Sequence, residues 1–233
     1  MREIIFDTET TGFNAEADDR VVEIGAVELR DGAVTGNTFH RYVNPERDMP
    51  EGAFRVHGLS AEFLSDKPVF ADPTVVDAFL EFVGEATLVA HNATFDMRFI
   101  NAELVRLGRD RLTNEVVDTL AIAKRKFPGS PASLDALCSR FAIDTSTRER
   151  DGHGALLDSQ LLAAVYVELT GGAQAGLRLD AGGDDDSTGD GGDRRRRIGA
   201  RPTPLPARGT DEERAAHAAF IGEMGDAALW NRV

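Results

Sequence analysis

At 233 residues, 42% hydrophobic and 28% charged, the chain has room for one domain of ordinary size plus an appendage and the composition of a globular protein. Its net charge of −14 argues against a nucleic-acid binder, unless the acids are gathered to hold cations. No apolar run approaches the roughly 18 residues of a membrane span, and the single cysteine, Cys138, rules out an intramolecular disulfide and predicts a reducing, cytoplasmic setting.

Residues 1–172 alternate between strand and helix patterns. The opening MREIIFD runs straight into a strand over Glu3–Asp7, which in this reading leaves no room for a leader. Val21–Leu29 and Asn37–Val43 predict a hairpin pair around Arg30-Asp31-Gly32. Ser60 is placed to cap a short helix over AEFL, and Asp72-Pro73 to open a helix reaching Val83. Ala86–Ala90 is a continuous apolar strand, and Thr94–Leu107 has helical periodicity ending at Gly108. A short strand near Val116-Val117 precedes helices over 119–126 and 133–141. A last helix, Ala155–Leu169, carries Leu157, Leu161, Val165 and Leu169 at four-residue spacing. Such an order predicts an α/β domain with a mixed sheet flanked by helices.

Composition changes beyond residue 172. Residues 173–209, with GDDDSTGDGGDRRRR at their centre, hold too little apolar surface to offset the entropy of ordering and predict a flexible linker. In 210–233, Thr210-x-x-Glu213 is a capping box that opens a helix with Ala216, Phe220 and Met224 on one stripe, followed by Leu229-Trp230. So short a segment has no core of its own, and its apolar stripe predicts a partner.

The acids carry the chemistry. Asp7 and Glu9, in FDTETTG, point to one face of a strand. At about 4 Å and an effective dielectric of about 20 they would repel by about 4 kcal/mol, so a cation or solvent must lie between them. HNATFD follows the apolar strand ATLVA and puts Asp96 in the first turn of the next helix. DGHGALLD places His153 between two glycines and Asp158 near the start of the last helix, where the dipole favours an anion. Acids at element ends with one imidazole suit hard divalent cations and an in-line phosphoryl displacement. Neither a zinc-type Cys/His set nor a Gly-rich phosphate loop is present.

In that order and spacing, DTET, HNxxFD and H-x4-D resemble the three motifs of the DEDDh 3′→5′ exonucleases, a family of ribonuclease H-like fold. NTFHRYVNP, VHGLS, FPGSPASLDALCSRF and HGALLDSQLLAAVYVELTGG are similar to the proofreading (epsilon) subunits of bacterial DNA polymerase III over about residues 2–172, and TDEERAAH through LW to their C-terminal end. The resemblance implies two cations, Mg²⁺ or Mn²⁺, with Asp7 shared between them, Glu9 and Asp158 completing one site and Asp96 the other. It implies His153 as the general base that takes a proton from the attacking water. Thr10, Gly12, Val56, His57, His91, Asn92 and Phe95, together with Asp7, Glu9 and Asp158, match positions around the terminal nucleotide of a single-stranded or frayed 3′ DNA end.

The domain is itself acidic, with 29 Asp and Glu against 17 Lys and Arg in residues 1–172. This predicts weak intrinsic affinity for DNA, remedied by a partner that raises the effective concentration. Gln174, Leu177 and Leu179 fit a sliding-clamp pattern at 174–179 whose usual terminal aromatic is missing, so weak clamp binding is expected. By the same resemblance, Phe220, Met224, Leu229 and Trp230 would dock on the polymerase alpha subunit. Two rival expectations remain: a stand-alone exonuclease acting on RNA or tRNA ends, and an inactive scaffold of the same fold.

Overall fold

The structure, a computed structural model, describes residues 1–151, 153–171 and 210–225. The chain divides into two compact units, Met1–Asp180 and Ala181–Val233. In chain order the elements are β1 (Arg2–Thr10), β2 (Val21–Arg30), β3 (Ala33–Tyr42), α1 (Glu51–His57), α2 (Ala61–Leu64), α3 (Val76–Val83), β4 (Thr87–Ala90), α4 (Ala93–Arg106), β5 (Val116–Asp118), α5 (Thr119–Lys126), α6 (Leu134–Arg140), α7 (Ser146–Asp151), α8 (Ala155–Thr170) and α9 (Asp211–Met224).

The strands form one mixed sheet of order β3-β2-β1-β4-β5. β1 runs antiparallel to β2 and parallel to β4, so the first strand of the chain is central and its C-terminal end opens between helices from both faces. The β2–β3 turn uses Asp31 and Gly32, both at positive φ (51° and 78°), the turn geometry that matches strand twist.

Alternation along β1 divides the core. Ile4 and Phe6 join Ile24, Phe79, Leu88, Phe99 and Leu104 on the face covered by α3 and α4. Ile5 joins Val27, Val89, Leu162 and Tyr166 on the face covered by α8. A third cluster, Ala123, Leu137, Cys138, Leu161 and Val165, ties α5 and α6 to the outer side of α8. This is the mixed α/β architecture, one sheet flanked by helices, that the sequence predicts.

Several local readings differ: β1 runs on past Asp7 to Thr10, and β3 starts at Ala33 rather than Asn37. The helix expected from Asp72-Pro73 begins at Val76, because Asp72 Oδ1 accepts from the N–H and the hydroxyl of Thr74 (2.8 and 2.7 Å) and closes a turn instead. The sequence pattern also passed over α1 and α7. Pro50 at the start of α1 supplies no side-chain cap, and Gly52 lies within the helix, so neither end of the segment announces itself.

In the second unit α9 begins with the expected capping box between Thr210 and Glu213 and leaves Phe220 59% and Met224 37% exposed. The linker and Gln174, Leu177, Leu179, Leu229 and Trp230 lie outside the described residues. Among the described residues no helix is long and apolar enough to cross a membrane.

Candidate active site

Asp7 and Glu9 leave the same face of β1 as Ile5, the face that carries α8. In the antiparallel register Asp7 lies opposite Gly25 of β2. A Cβ at Gly25 would come within 2.1 Å of the Leu156 nitrogen and 2.2 Å of the Ala155 carbonyl carbon, so only glycine admits the α8 N-terminus to the sheet here. That close approach brings Asp158, one turn into α8, beside the β1 acids. Ser159 fastens it, its hydroxyl 2.9 Å from the Gly25 carbonyl oxygen. Asp96 arrives from the other side, in the first turn of α4 directly after β4. Its Oδ1 accepts from the N–H and the hydroxyl of Thr8 (3.0 and 2.7 Å).

The carboxylates converge in little solvent and repel one another. Asp7 is pushed well above the usual carboxylate range, first by burial and then by Asp96, Glu9 and Asp158. Burial, then Glu23, Asp158 and Asp96, raise Glu9 to about 8. Burial raises Asp96 to about 7 against the hydrogen bonds from Thr8, and raises Asp158 against the opposing charge of Arg148. Such a set is unstable when fully ionised and alone, and it offers hard oxygen donors. The Asp158 Oδ1 atom is buried without a hydrogen bond; the Arg148 Nε that lies 2.8 Å away is not aligned to donate one. Glu9, His153 and Asp158 present atoms all within 4.8 Å of one another. The residues therefore fit divalent cations.

Beside the acids is a cavity of about 500 Å³, the size of a small-ligand site. Of the residues predicted around the terminal nucleotide, Glu9, Thr10, Gly12, Val56, His57 and Phe95 line it. His57 Nδ1 accepts from the Leu59 N–H (3.0 Å), so the ring proton sits on Nε2, which is buried and unpaired. Phe95 is half-buried, 4.9 Å from the Phe99 ring and 6.3 Å from that of Phe13. His91 and Asn92 are not in this lining. His91 Nδ1 lies 2.9 Å from the Thr119 hydroxyl, and Asn92, at φ 66°, turns the chain into α4 with its N–H on Asp118. Gly12 also has a part absent from the motif: a Cβ there would sit 2.3 Å from the Asp19 carboxylate, which would have to leave its place.

Sequence reasoning missed three neighbours. Glu23, directly opposite Glu9 in the register, has a side chain 3% exposed that pairs with His40 Nε2 at 2.7 Å; an acid within the apolar run VVEIGA was its signal. Phe13, 84% exposed on the cavity rim, could have been found as an aromatic next to TTG. Arg148 had no signal, since its meaning depends on how α7 folds back over Asp158.

A family model described as Exonuclease matches residues 4–166. Among curated relatives, the DNA polymerase III subunit epsilon of Rickettsia felis is 51% identical over 183 residues, 77% of this chain and 78% of that one. The subunit of the same name from Escherichia coli K12 is 43% identical and spans 98% of this chain and 97% of its own. Among solved structures, exonuclease X in complex with 5′-overhanging duplex DNA superposes with a TM-score of 0.58 at 28% identity, covering 72% of this chain and 90% of that one. The zinc-bound E. coli exonuclease I–single-stranded DNA complex shares the fold, with a TM-score of 0.60 at 19% identity over 72% of this chain and 40% of its own. The chain belongs to the exonuclease family of ribonuclease H-like fold, whose members depend on divalent metal, and within it to the epsilon subunits of DNA polymerase III.

Proposed function

We propose that this chain is a 3′→5′ exonuclease that removes mispaired nucleotides from the 3′ end of DNA for a replicative polymerase, releasing nucleoside 5′-monophosphates. The convergence of Asp7, Glu9, Asp96 and Asp158 with His153 beside a nucleotide-sized cavity carries this reading. Asp7 would be shared by two divalent cations, Mg²⁺ or Mn²⁺, with Glu9 and Asp158 completing one site and Asp96 the other. Bound there, such a pair would supply charge stabilisation at the attacking and leaving oxygens of the phosphodiester.

The chain's own groups do the rest. His153, with a side chain 43% exposed and 3.4 Å from Asp158, takes the proton of the attacking water. His57 offers its Nε2–H to the terminal nucleotide from the wall of the cavity. Val56, Phe95 and the backbone beside Gly12 form the surface for the base. His91 and Asn92 act at one remove, by shaping the turn that sets Asp96 on α4.

The remaining assignments concern the assembly. Residues 1–172 form the exonuclease domain, 173–209 a flexible linker with the weak clamp motif Gln174, Leu177 and Leu179, and 210–233 the segment that docks on the polymerase alpha subunit through Phe220, Met224, Leu229 and Trp230. The exposed Phe220 and Met224 on a capped helix support the last assignment, as do relatives named as polymerase subunits. Those names do not favour the RNA-trimming or inactive alternatives. The working place is the cytoplasm, at the replicating nucleoid.

A 5′-labelled single strand, offered as DNA and as RNA with and without Mg²⁺, tests the activity. Stepwise shortening of the DNA from its 3′ end, dependent on metal, is expected. A preference for RNA, or no shortening of DNA, would overturn the reading. Deleting 210–233 should leave that activity intact and abolish co-purification with the alpha subunit; survival of the complex would remove the tail's role.

A further inference from the structure

The guanidinium of Arg148 occupies the site as an internal cation. Its side chain is 10% exposed. Nε lies 2.8 Å from Asp158 Oδ1 and Nη2 2.9 Å from Oδ2, while Nη1 pairs with Asp135 at the rim. Nη2 is also 2.7 Å from His153 Nδ1. That ring nitrogen also lies 3.4 Å from Asp158 Oδ2, to which it could only donate. The arginine contact is the shorter of the two, at 2.7 Å, and arginine only donates, so the geometry favours Nδ1 as acceptor. A neutral imidazole has a single free lone pair, and here Arg148 holds it, which leaves Nε2 as a donor. In this arrangement His153 has nothing with which to take a proton, and Asp158 has spent its charge on a side chain.

We infer that Arg148 is a positioning residue that caps His153 and Asp158 in the ion-free site, and that occupancy of Asp158 by a divalent cation expels the guanidinium and frees the lone pair of His153. The inference rests on Asp158 as a metal ligand, as proposed above. Two like charges do not share one carboxylate cheaply. The cation and the guanidinium therefore compete, and the base becomes available when the metal is in place. Such coupling would keep the ion-free site from acting on water or DNA.

The test measures Mn²⁺ alone, without substrate, on the full chain stripped with a chelator, following the electron paramagnetic resonance signal of the free ion. Arg148→Gln should bind Mn²⁺ about tenfold more tightly than wild type, about 1.4 kcal/mol. Arg148→Lys, which keeps the charge but loses the fork that reaches Asp158 and His153 together, should tighten binding by a smaller factor, and decides the matter if the glutamine variant does not fold. Arg98→Gln, an exposed arginine paired with Glu16, should match wild type. Nitrogen-15 spectra of His153 should show Mg²⁺ changing the Nδ1 environment in wild type, and the ion-free Arg148→Gln protein already lacking the capped signature. If Arg148→Gln binds Mn²⁺ no more tightly than wild type while Asp7→Asn abolishes binding, the metal site stands and the role of Arg148 falls. If wild type does not bind Mn²⁺, or Asp7→Asn binds it as well, the metal site falls and this inference with it.

Discussion

The two walls of the site are held in different ways. Residues 11–20, which carry Gly12 and Phe13, are fastened to buried partners at several points. Glu103, 1% exposed, accepts two hydrogen bonds from the Arg20 guanidinium (2.7 and 2.9 Å) and one from the Val21 N–H (3.2 Å). Asp19 fills the space left by Gly12 and accepts from Thr11, Asn14 and Arg47. Arg106 donates to the carbonyls of Ala15 and Ala17. The opposite wall, α7 with His153 beyond it, reaches the acids through Arg148. The wall that shapes the substrate is preorganised, whereas among the described residues the wall that supplies the base meets the acids through the side chains of Arg148 and His153 at Asp158. Specificity needs a fixed surface; a proton acceptor can be delivered on condition.

Removing the centre that both walls serve gives the largest effect. Asp7→Asn should lower the single-turnover rate on a DNA strand by about a thousandfold or more, roughly 4 kcal/mol of barrier. Its thermal melt without metal should lie at or above that of wild type, because a buried, repelled charge is gone. A melt well below wild type would mean that Asp7 holds the fold and not the ion. Breaking the rigid wall comes next. Glu103→Ala strands the Arg20 guanidinium and should cost about 3 kcal/mol in denaturant unfolding. At low temperature its KM for DNA should rise more than its kcat falls; loss of kcat alone would show that the wall serves the chemistry directly.

Glu9 gives a smaller effect of opposite sign. Its carboxyl stands near 8 in the folded chain against 4.5 when free. Between those values the folded chain binds more protons than the unfolded one, so the stability of the metal-free protein falls as pH rises through that window. Glu9→Gln should flatten part of this fall: equal melting temperatures near pH 4.5 in chelator, and a higher one than wild type by several degrees at pH 8, with activity lost. Parallel melting curves for the two proteins across the window would remove Glu9 from the repelling cluster.

The strands and most helices were legible in sequence because their signals are local: alternation in IIFD, the caps Ser60 and Thr210, the stop at Gly108. The acids were legible for a related reason, since Asp7 and Glu9 continue the alternation that opens β1, and Asp96 and Asp158 fall in the first turns of α4 and α8. What escaped depends on distant partners. Gly25 reads as an ordinary glycine until α8 is seen resting on it. Glu23 is one acid in a strand until the register sets it opposite Glu9. The clearest case is Arg148, whose helix shows no strong signal and whose partners lie 5, 10 and 13 residues away along the chain.

The smallest effect is expected on the rigid wall itself, at Phe13. Its ring is 84% exposed, touches Phe95 edge-on and lines the cavity. A large exposed aromatic held on a preorganised loop is costly in solubility and adds little to stability, so its use must be in the bound state. Stacking of a base on such a ring contributes about 1–3 kcal/mol. Phe13→Ala should therefore raise the KM for single-stranded DNA about fivefold or more, leave kcat nearly unchanged and shift unfolding by less than about 0.5 kcal/mol. Phe13→Trp should restore the affinity, since it keeps a flat ring at the same place. A variant that melts early with an unaltered KM would show that the ring only covers Phe95, and the substrate surface would then end at Gly12.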